Sequence, residues 1–111
     1  MNPLNPMNPA SDAHPTRKLL TLVCEASLEP LLIHDLPALG AHGYTITDAR
    51  GRGDHGERDG AWPAAANIRI EVICEEATAR AIVAFVQQRY YANYGMVAWL
   101  SDVEVLRPTK F

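Results

Sequence analysis

The stretch that decides the fold is Gly51–Ala66, GRGDHGERDGAWPAAA, which separates two segments that alternate like β-strands. A turn between adjacent antiparallel strands needs only about two to five residues, so these sixteen residues exceed what closing a hairpin requires. The stretch holds four of the seven glycines and has no hydrophobic periodicity. Such insertions are either functional or disordered, and the residue types here favour function.

Glycine and arginine at the start of this insertion predict an anion site. Gly51 and Gly53 let backbone N–H groups approach an anion closely. Arg50, Arg52 and Arg58 can donate charge-assisted hydrogen bonds to a phosphate or carboxylate. A lone G-x-G is a weak signal, and the arginines could equally pair with acidic residues of the same loop. Surface pairs of that kind contribute only about 0–1 kcal/mol.

Four segments alternate with the period of two that a strand requires. In chain order they are Arg17–Glu25, Tyr44–Arg50, Asn67–Cys74 and Met96–Leu106. The first is apolar on both faces, which predicts a central strand that is covered on both sides. The third, NIRIEVIC, is the clearest strand, and Pro108 ends the fourth.

Two further segments carry apolar residues at helical spacing. Ser27 is expected to cap the first helix, with Pro37 kinking it. Gly40 or Gly43 should end it. Its apolar stripe comprises Leu28, Leu31, Leu32, Leu36 and Leu39. The acidic pair Glu75–Glu76 suits the start of the second helix electrostatically. Its amphipathic stripe comprises Ala79, Ile82, Phe85, Val86 and Arg89.

The element order predicts an α+β ferredoxin-like βαββαβ sandwich with both helices on one face of the sheet. Residues 17–111 form this domain and residues 1–16, with four prolines, are expected to be a flexible tail. The other sheet face carries apolar residues such as Val23 and Ile73. We therefore expect that face to be buried in a closed oligomer.

Composition excludes several classes of function. The formal net charge is −3, and no basic cluster or basic helix suggests nucleic acid or a membrane surface as partner. No run of about 18 apolar residues is long enough to span a membrane. Because the N-terminal residues do not resemble a secretory signal, we expect a cytoplasmic protein.

Cys24 and Cys74 are interpreted as reduced, buried cysteines, in preference to a disulfide or a metal site. The histidines have no metal-ligand spacing, and no metal is expected.

Four segments resemble one known family. HGYTITDARGRG, NIRIEVIC, the alanine-rich helix after it and the terminal DVEVLRPTKF are similar to the PII signalling superfamily, and in particular to its bicarbonate-linked, carboxysome-associated PII-like branch. The resemblance covers Arg17–Phe111. It implies a homotrimer of ferredoxin-like subunits that binds adenine nucleotides in the clefts between neighbours. The insertion 51–66 would be the T-loop, which changes conformation with the ligand and contacts a partner.

The resemblance also implies roles for single residues. The nucleotide contacts would be Thr45, Arg50, Gly51, Arg52, Gly53, Glu71, Ile73 and Arg107. Of these, the G-x-G segment would wrap the phosphates, Glu71 and Ile73 would border the adenine and ribose, and Arg107 would arrive from the C-terminal segment. Bicarbonate could bind beside the nucleotide at Arg58. His55 and Trp62 would belong to the surface that contacts a partner.

Two departures from PII proteins proper refine this expectation. The segment after the second helix, YYANYGMV, lacks the lysine of the PII phosphate loop, so a triphosphate loses a counter-charge. This favours AMP, ADP or cAMP over ATP. The insertion also lacks a tyrosine at its tip, which argues against control by uridylylation. Tyr90, Tyr91 and Tyr94 could stack on adenine, although packing at an interface is favoured.

The leading hypothesis is a non-enzymatic sensor without catalytic residues. Its loop would address a bicarbonate transporter or another protein of carbon fixation, including one associated with carboxysomes. One alternative is a nucleotide phosphohydrolase in which Glu57 or Asp59 positions water, although neither has a recognisable nucleophile or metal ligands nearby in sequence. The other is a trimeric divalent-metal tolerance protein of the same architecture.

Overall fold

The computed structural model describes residues 16–51 and 66–107. Within these ranges the elements are β1 (Thr16–Glu25), a 3-10 turn (Ala26–Leu28), α1 (Glu29–Ala38), β2 (Thr45–Ala49), β3 (Asn67–Cys74), α2 (Glu76–Arg89) and β4 (Met96–Glu104). The strands form an antiparallel sheet in the order β2-β3-β1-β4. This is the ferredoxin-like arrangement expected from the sequence. The expected tail, apart from Thr16, and nearly all of the T-loop lie outside the described residues.

The core lies between one face of the sheet and the two helices. The alternation along β1 and β3 directs every second side chain to this face, including Leu20, Leu22, Ile70 and Val72, which are all fully buried. The helices contribute Leu32, Leu36, Ala79, Ile82 and Val86 to the same cluster. Burial of these apolar side chains, at about 25 cal/mol per Å², is the main favourable term in folding.

The first helix begins differently from the prediction. Ser27 lies inside the 3-10 turn and does not cap α1; Leu28 occupies the N-cap position without a side-chain hydrogen bond. The reason is that the Ala26 N–H donates to the Ala66 carbonyl at 2.8 Å. This bond draws the chain into a tight turn as it leaves β1, so the α-helix starts only at Glu29.

The end of the first helix agrees with the prediction. The Gly40 N–H donates to the Pro37 carbonyl and the Ala41 N–H to the Leu36 carbonyl, both at 3.0 Å. These two bonds define a Schellman motif, in which the residue after the cap adopts a left-handed conformation. Gly40 does so, with φ of 103°. Pro37 stands in the last turn, where the helix is about to end.

Gly40→Ala is expected to destabilise the fold by about 1–2 kcal/mol, because a Cβ is disfavoured at this left-handed φ. Steric clash adds little, since the new Cβ would lie 3.6 Å from Thr78 Cγ2, an ordinary contact. The matched control is Gly43→Ala, whose Cβ would have no atom within 4 Å and no positive φ to tolerate. Urea unfolding of both variants makes the comparison, and equal losses would contradict the assignment of strain to Gly40.

The outer strands are shorter than predicted, whereas β3 has the expected limits. Among the described residues β2 pairs only with β3, and this ladder runs from Thr45 to Ala49, so Tyr44 and Arg50 stand outside it. β4 ends at Glu104, which lies opposite Thr16, the first residue of β1.

Cys24 and Cys74 are free and buried, as predicted. Cys24 lies opposite Ile68 and Cys74 opposite Lys18, so the two thiols are separated by six positions of the ladder, or roughly 20 Å. A disulfide cannot bridge that distance. Burial raises the pKa of the Cys24 thiol to about 12 and that of Cys74 above its ordinary value. Both thiols are therefore protonated and unreactive near neutral pH.

Candidate functional site

The base of the long insertion lies at one end of the sheet, where several connections meet. Ala49, Asn67 and Glu25 form a row across β2, β3 and β1. Arg50 and Gly51 follow this row on β2, and both are exposed. Gly95 precedes β4 at the same end, since Met96 lies opposite Cys24. The predicted anion-binding segment thus starts where it can share a ligand with other connections.

Two hydrogen bonds hold this end together. The Ala26 N–H donates to the Ala66 carbonyl, which joins the end of β1 to the return of the insertion. The Gly95 N–H donates to Glu25 Oε2 at 2.8 Å, which joins the same corner to the turn between α2 and β4. The return of the insertion and the turn before β4 are therefore both tied to the end of β1.

The residues expected to border the base and ribose lie further along the sheet. Thr45 pairs with Glu71 across β2 and β3, and Ile73 follows two positions later on the same face. Thr45 is exposed, whereas Glu71 and Ile73 are half-buried. Arg69 Nη2 donates to Glu71 Oε2 at 3.4 Å. The structure brings these three predicted contacts together at one end of β2, with Arg50 and Gly51 at the other.

Arg107 does not join them within one chain. It follows β4, which is the edge strand opposite β2, and it lies beyond the end of the sheet that is marked by Thr16 and Glu104. Arg50 and Arg107 thus occupy diagonal corners of the sheet. A ligand that contacts both must receive them from two different subunits. The remaining predicted residues, Arg52, Gly53, His55, Arg58 and Trp62, lie outside the described residues.

A cavity of about 240 Å³ adjoins the predicted base contacts. It is lined by Gly40, His42, Gly43, Ile73, Cys74, Glu75 and Thr78. Its volume lies below the roughly 300–1,000 Å³ of sites that hold a drug-sized ligand, so it fits a single ring system and not a whole nucleotide. Of its lining, the sequence identifies only Ile73 as a ligand contact; the two glycines carry only the signal of a helix stop.

Tyr90 is not available to stack on a ligand. It is buried in the core, in edge-to-face contact with Phe85 and Tyr94 at centroid distances of 6.2 and 5.8 Å. Its hydroxyl donates to the Asp35 carboxylate on α1. Burial, followed by this hydrogen bond, raises the pKa of Tyr90 to about 12, so the hydroxyl remains a donor at neutral pH. Tyr90 therefore links the two helices, while Tyr91 and Tyr94 are exposed.

The sheet face away from the helices carries exposed apolar side chains. Val97 is 50% and Trp99 42% exposed, and the Arg69 guanidinium lies 5.8 Å from the Trp99 ring centroid. Thr21, opposite Trp99, is fully buried, and its hydroxyl has no hydrogen-bond partner among the described residues. We refer to Thr21, Val23, Arg69, Val97 and Trp99 as the open face.

Two classes of site find no support in residues 16–51 and 66–107. No group of three His, Cys, Asp or Glu side chains is arranged there to hold a metal ion. In the same part of the chain, neither helix is long and apolar enough to cross a membrane.

The fold and the residues at the base of the insertion are consistent with one family of signalling proteins. The chain matches the family of nitrogen regulatory protein P-II over residues 17–110, and it belongs to that family. No curated protein matches the chain at a significant level. The resemblance found in the sequence is confirmed, including its PII-like character, because solved PII-like proteins are among the similar structures.

Two of these proteins are informative. A PII-like signalling protein from Thermus thermophilus is 41% identical, with a TM-score of 0.73 over 86% of this chain and 95% of that chain. CPII, a nitrogen regulatory PII-like protein from Thiomonas intermedia, is 26% identical, with a TM-score of 0.73 over 87% of this chain and 94% of that chain. That CPII structure is bound to ADP, AMP and bicarbonate. Another CPII structure, with a TM-score of 0.74, is bound to ADP and bicarbonate.

Proposed function

We propose that this protein is a non-enzymatic PII-like signalling protein that binds AMP or ADP in clefts between subunits. The observation that carries the proposal is its similarity, over 87% of the chain, to CPII bound to ADP, AMP and bicarbonate. The cavity beside Ile73 supports it, because its volume suits a base without phosphates. The phosphates would then extend out of the cavity toward Arg50 and the G-x-G segment 51–53.

In this proposal each group of predicted residues has one task. Thr45, Glu71 and Ile73 border the base and ribose beside the cavity. Arg50 and the G-x-G segment 51–53 bind the phosphates with backbone N–H groups and guanidinium donors. Arg107 is supplied by a neighbouring subunit, which agrees with its position at the opposite corner of the sheet.

The clefts require an oligomer, and we propose a homotrimer assembled through the open face. Exposed Val97 and Trp99 give this face apolar area, and patches of this kind mark interaction surfaces. Three copies related by a cyclic axis would close the surface.

Bicarbonate and a protein partner complete the proposed mechanism. Bicarbonate is small and singly charged, so Arg58 and a few backbone donors would suffice to bind it beside the nucleotide. A ligand that binds one loop conformation more tightly shifts the population toward that conformation. The loop would then present His55 and Trp62 to a bicarbonate transporter or another cytoplasmic or carboxysome-associated protein of carbon fixation.

The test is isothermal titration of the purified protein with AMP, ADP, ATP and cAMP, with and without bicarbonate. We expect micromolar binding of AMP and ADP and weaker binding of ATP. Arg52→Ala should weaken ADP binding about 10-fold to 100-fold, since a hydrogen bond to a charged group contributes roughly 1.5–3 kcal/mol.

The matched control is Arg80→Ala on α2. Arg80 pairs with Glu76 at 3.2 Å on the surface of the helix, so this variant removes the same side chain away from the proposed site. Its affinity should stay within about twofold of the wild type, because exposed pairs contribute little. A folded oligomer that binds none of the nucleotides would overturn the proposal.

A further inference from the structure

Glu25 lies at the end of the sheet where the insertion begins, a position that could not be predicted from the sequence. It is the last residue of β1, is half-buried, and stands in one row with Asn67 and Ala49. Two strand spacings, about 10 Å, separate it from the β2 end that leads into Arg50 and Gly51. The carboxylate thus lies at the same end of the sheet as the proposed phosphate-binding segment.

The orientation of this carboxylate is fixed. Glu25 Oε2 accepts the Gly95 N–H at 2.8 Å in a partly buried environment. A backbone N–H at a glycine is the kind of donor that a phosphate oxygen uses, because no Cβ blocks the approach. At Gly95 the donor is already taken by a carboxylate of the protein. The corner thereby loses one anion donor and carries a negative charge.

The occupied Gly95 N–H and the negative charge of Glu25 both weaken the binding of highly charged anions. A separation of about 10 Å is comparable to the Debye length of about 8 Å at physiological salt, and an anion that extends from Gly51 toward Gly95 would be nearer still. Among described residues, two exposed cations lie near this row: Arg50 follows Ala49, and Arg69 lies two positions from Asn67, where its guanidinium is paired with Glu71 at 3.4 Å. Each phosphate added to a ligand would therefore meet increasing repulsion from Glu25.

We propose that Glu25 is a specificity-determining residue that limits the negative charge of the nucleotide, favouring monophosphates and diphosphates over triphosphates. This inference rests on the proposed nucleotide site. It assigns the selectivity to a carboxylate of β1 that occupies a backbone donor, in addition to the absence of a lysine after α2.

The test is the ratio of ATP to AMP affinity in Glu25→Gln, measured by isothermal titration. The amide oxygen can still accept the Gly95 N–H, so the turn is retained while the charge is removed. We expect this ratio to rise about 10-fold, with AMP affinity changed less than about threefold, as charge interactions at this range predict. Glu76→Gln, on the exposed surface of α2, is the matched control and should leave the ratio unchanged.

A second variant acts in the opposite direction. Ser27 is exposed beside Glu25 and its side chain caps neither the 3-10 turn nor α1, so Ser27→Glu adds a carboxylate at the corner without removing a contact of the fold. The ratio of ATP to AMP affinity should then fall about threefold. If the wild type binds AMP and ADP and neither variant moves the ratio, the inference is wrong and the proposed function stands. If the folded wild type binds no nucleotide, both are wrong.

Discussion

Leu22→Ala is expected to lower the free energy of unfolding by about 2–5 kcal/mol. Leu22 is 0% exposed and lies in the middle of the central strand β1, between Ile70 and Ala98 of its two neighbours. Removing its side chain leaves a cavity that strands paired on both sides cannot collapse to fill. Because small domains are stable by only about 5–15 kcal/mol, this one change should lower Tm by roughly 10–30 °C.

The matched control is Leu31→Ala on α1, where the leucine is 46% exposed. The same atoms are removed, but little cavity forms, so the loss should stay below about 1 kcal/mol. Unfolding in urea, followed by circular dichroism at one protein concentration and without nucleotide, makes the comparison. The concentration must be held constant because unfolding of an oligomer depends on it. Similar losses in both variants would contradict the assignment of the core.

The elements that could be predicted from the sequence are those whose signals are local. β3 alternates over all eight of its residues, and its limits, Asn67–Cys74, were predicted correctly. It pairs with the central strand β1 along its whole length. The second helix was found from the spacing of Ala79, Ile82 and Val86, which are its buried residues. Gly40 was identified as a stop because the left-handed conformation after a helix is a local requirement.

The features that escaped prediction depend on contacts between distant parts of the chain. The 3-10 turn that displaced the expected Ser27 cap follows from the bond between Ala26 and Ala66, which are 40 residues apart. The limits of β2 are set by its register with β3. The alternation of side chains along Tyr44–Arg50 does not specify that register, so it could not predict where the strand begins and ends.

The same distinction applies to the candidate site. Gly51 and its neighbouring arginines carry a local signal for anions, and the structure locates Gly51 and Arg50 at an exposed strand end. The cavity could not be predicted, since residues 40–43 and 73–78 meet only in the folded chain. The hydrogen bond that orients Glu25 could not be predicted either, because its partner Gly95 lies 70 residues away. That Arg107 and Arg50 lie at diagonal corners follows from the strand order, which no single motif reveals.

Val97→Lys is expected to dissociate the proposed trimer and, with it, to abolish nucleotide binding. Val97 is half exposed in the isolated subunit, so a lysine is tolerated by the fold itself. In a trimer assembled through the open face, each of the three subunits would bury one lysine whose charge has no partner. Such a charge costs several kcal/mol, and Arg69, across Val23 on the same face, would repel it. Because Arg50 and Arg107 can meet only between subunits, the monomer should lack a complete site.

Sedimentation velocity measures the assembly, with an expected change from about three times the 12.2 kDa chain mass to the mass of one chain. Gln87→Lys is the matched control, because Gln87 is exposed on α2 and the same charge is added outside the open face. That variant should remain a trimer and bind ADP like the wild type. Retention of both assembly and ADP binding in Val97→Lys would show that the open face is not the interface. Binding of ADP by a monomeric Val97→Lys variant would instead place the site within one subunit, and that site could not include both Arg50 and Arg107.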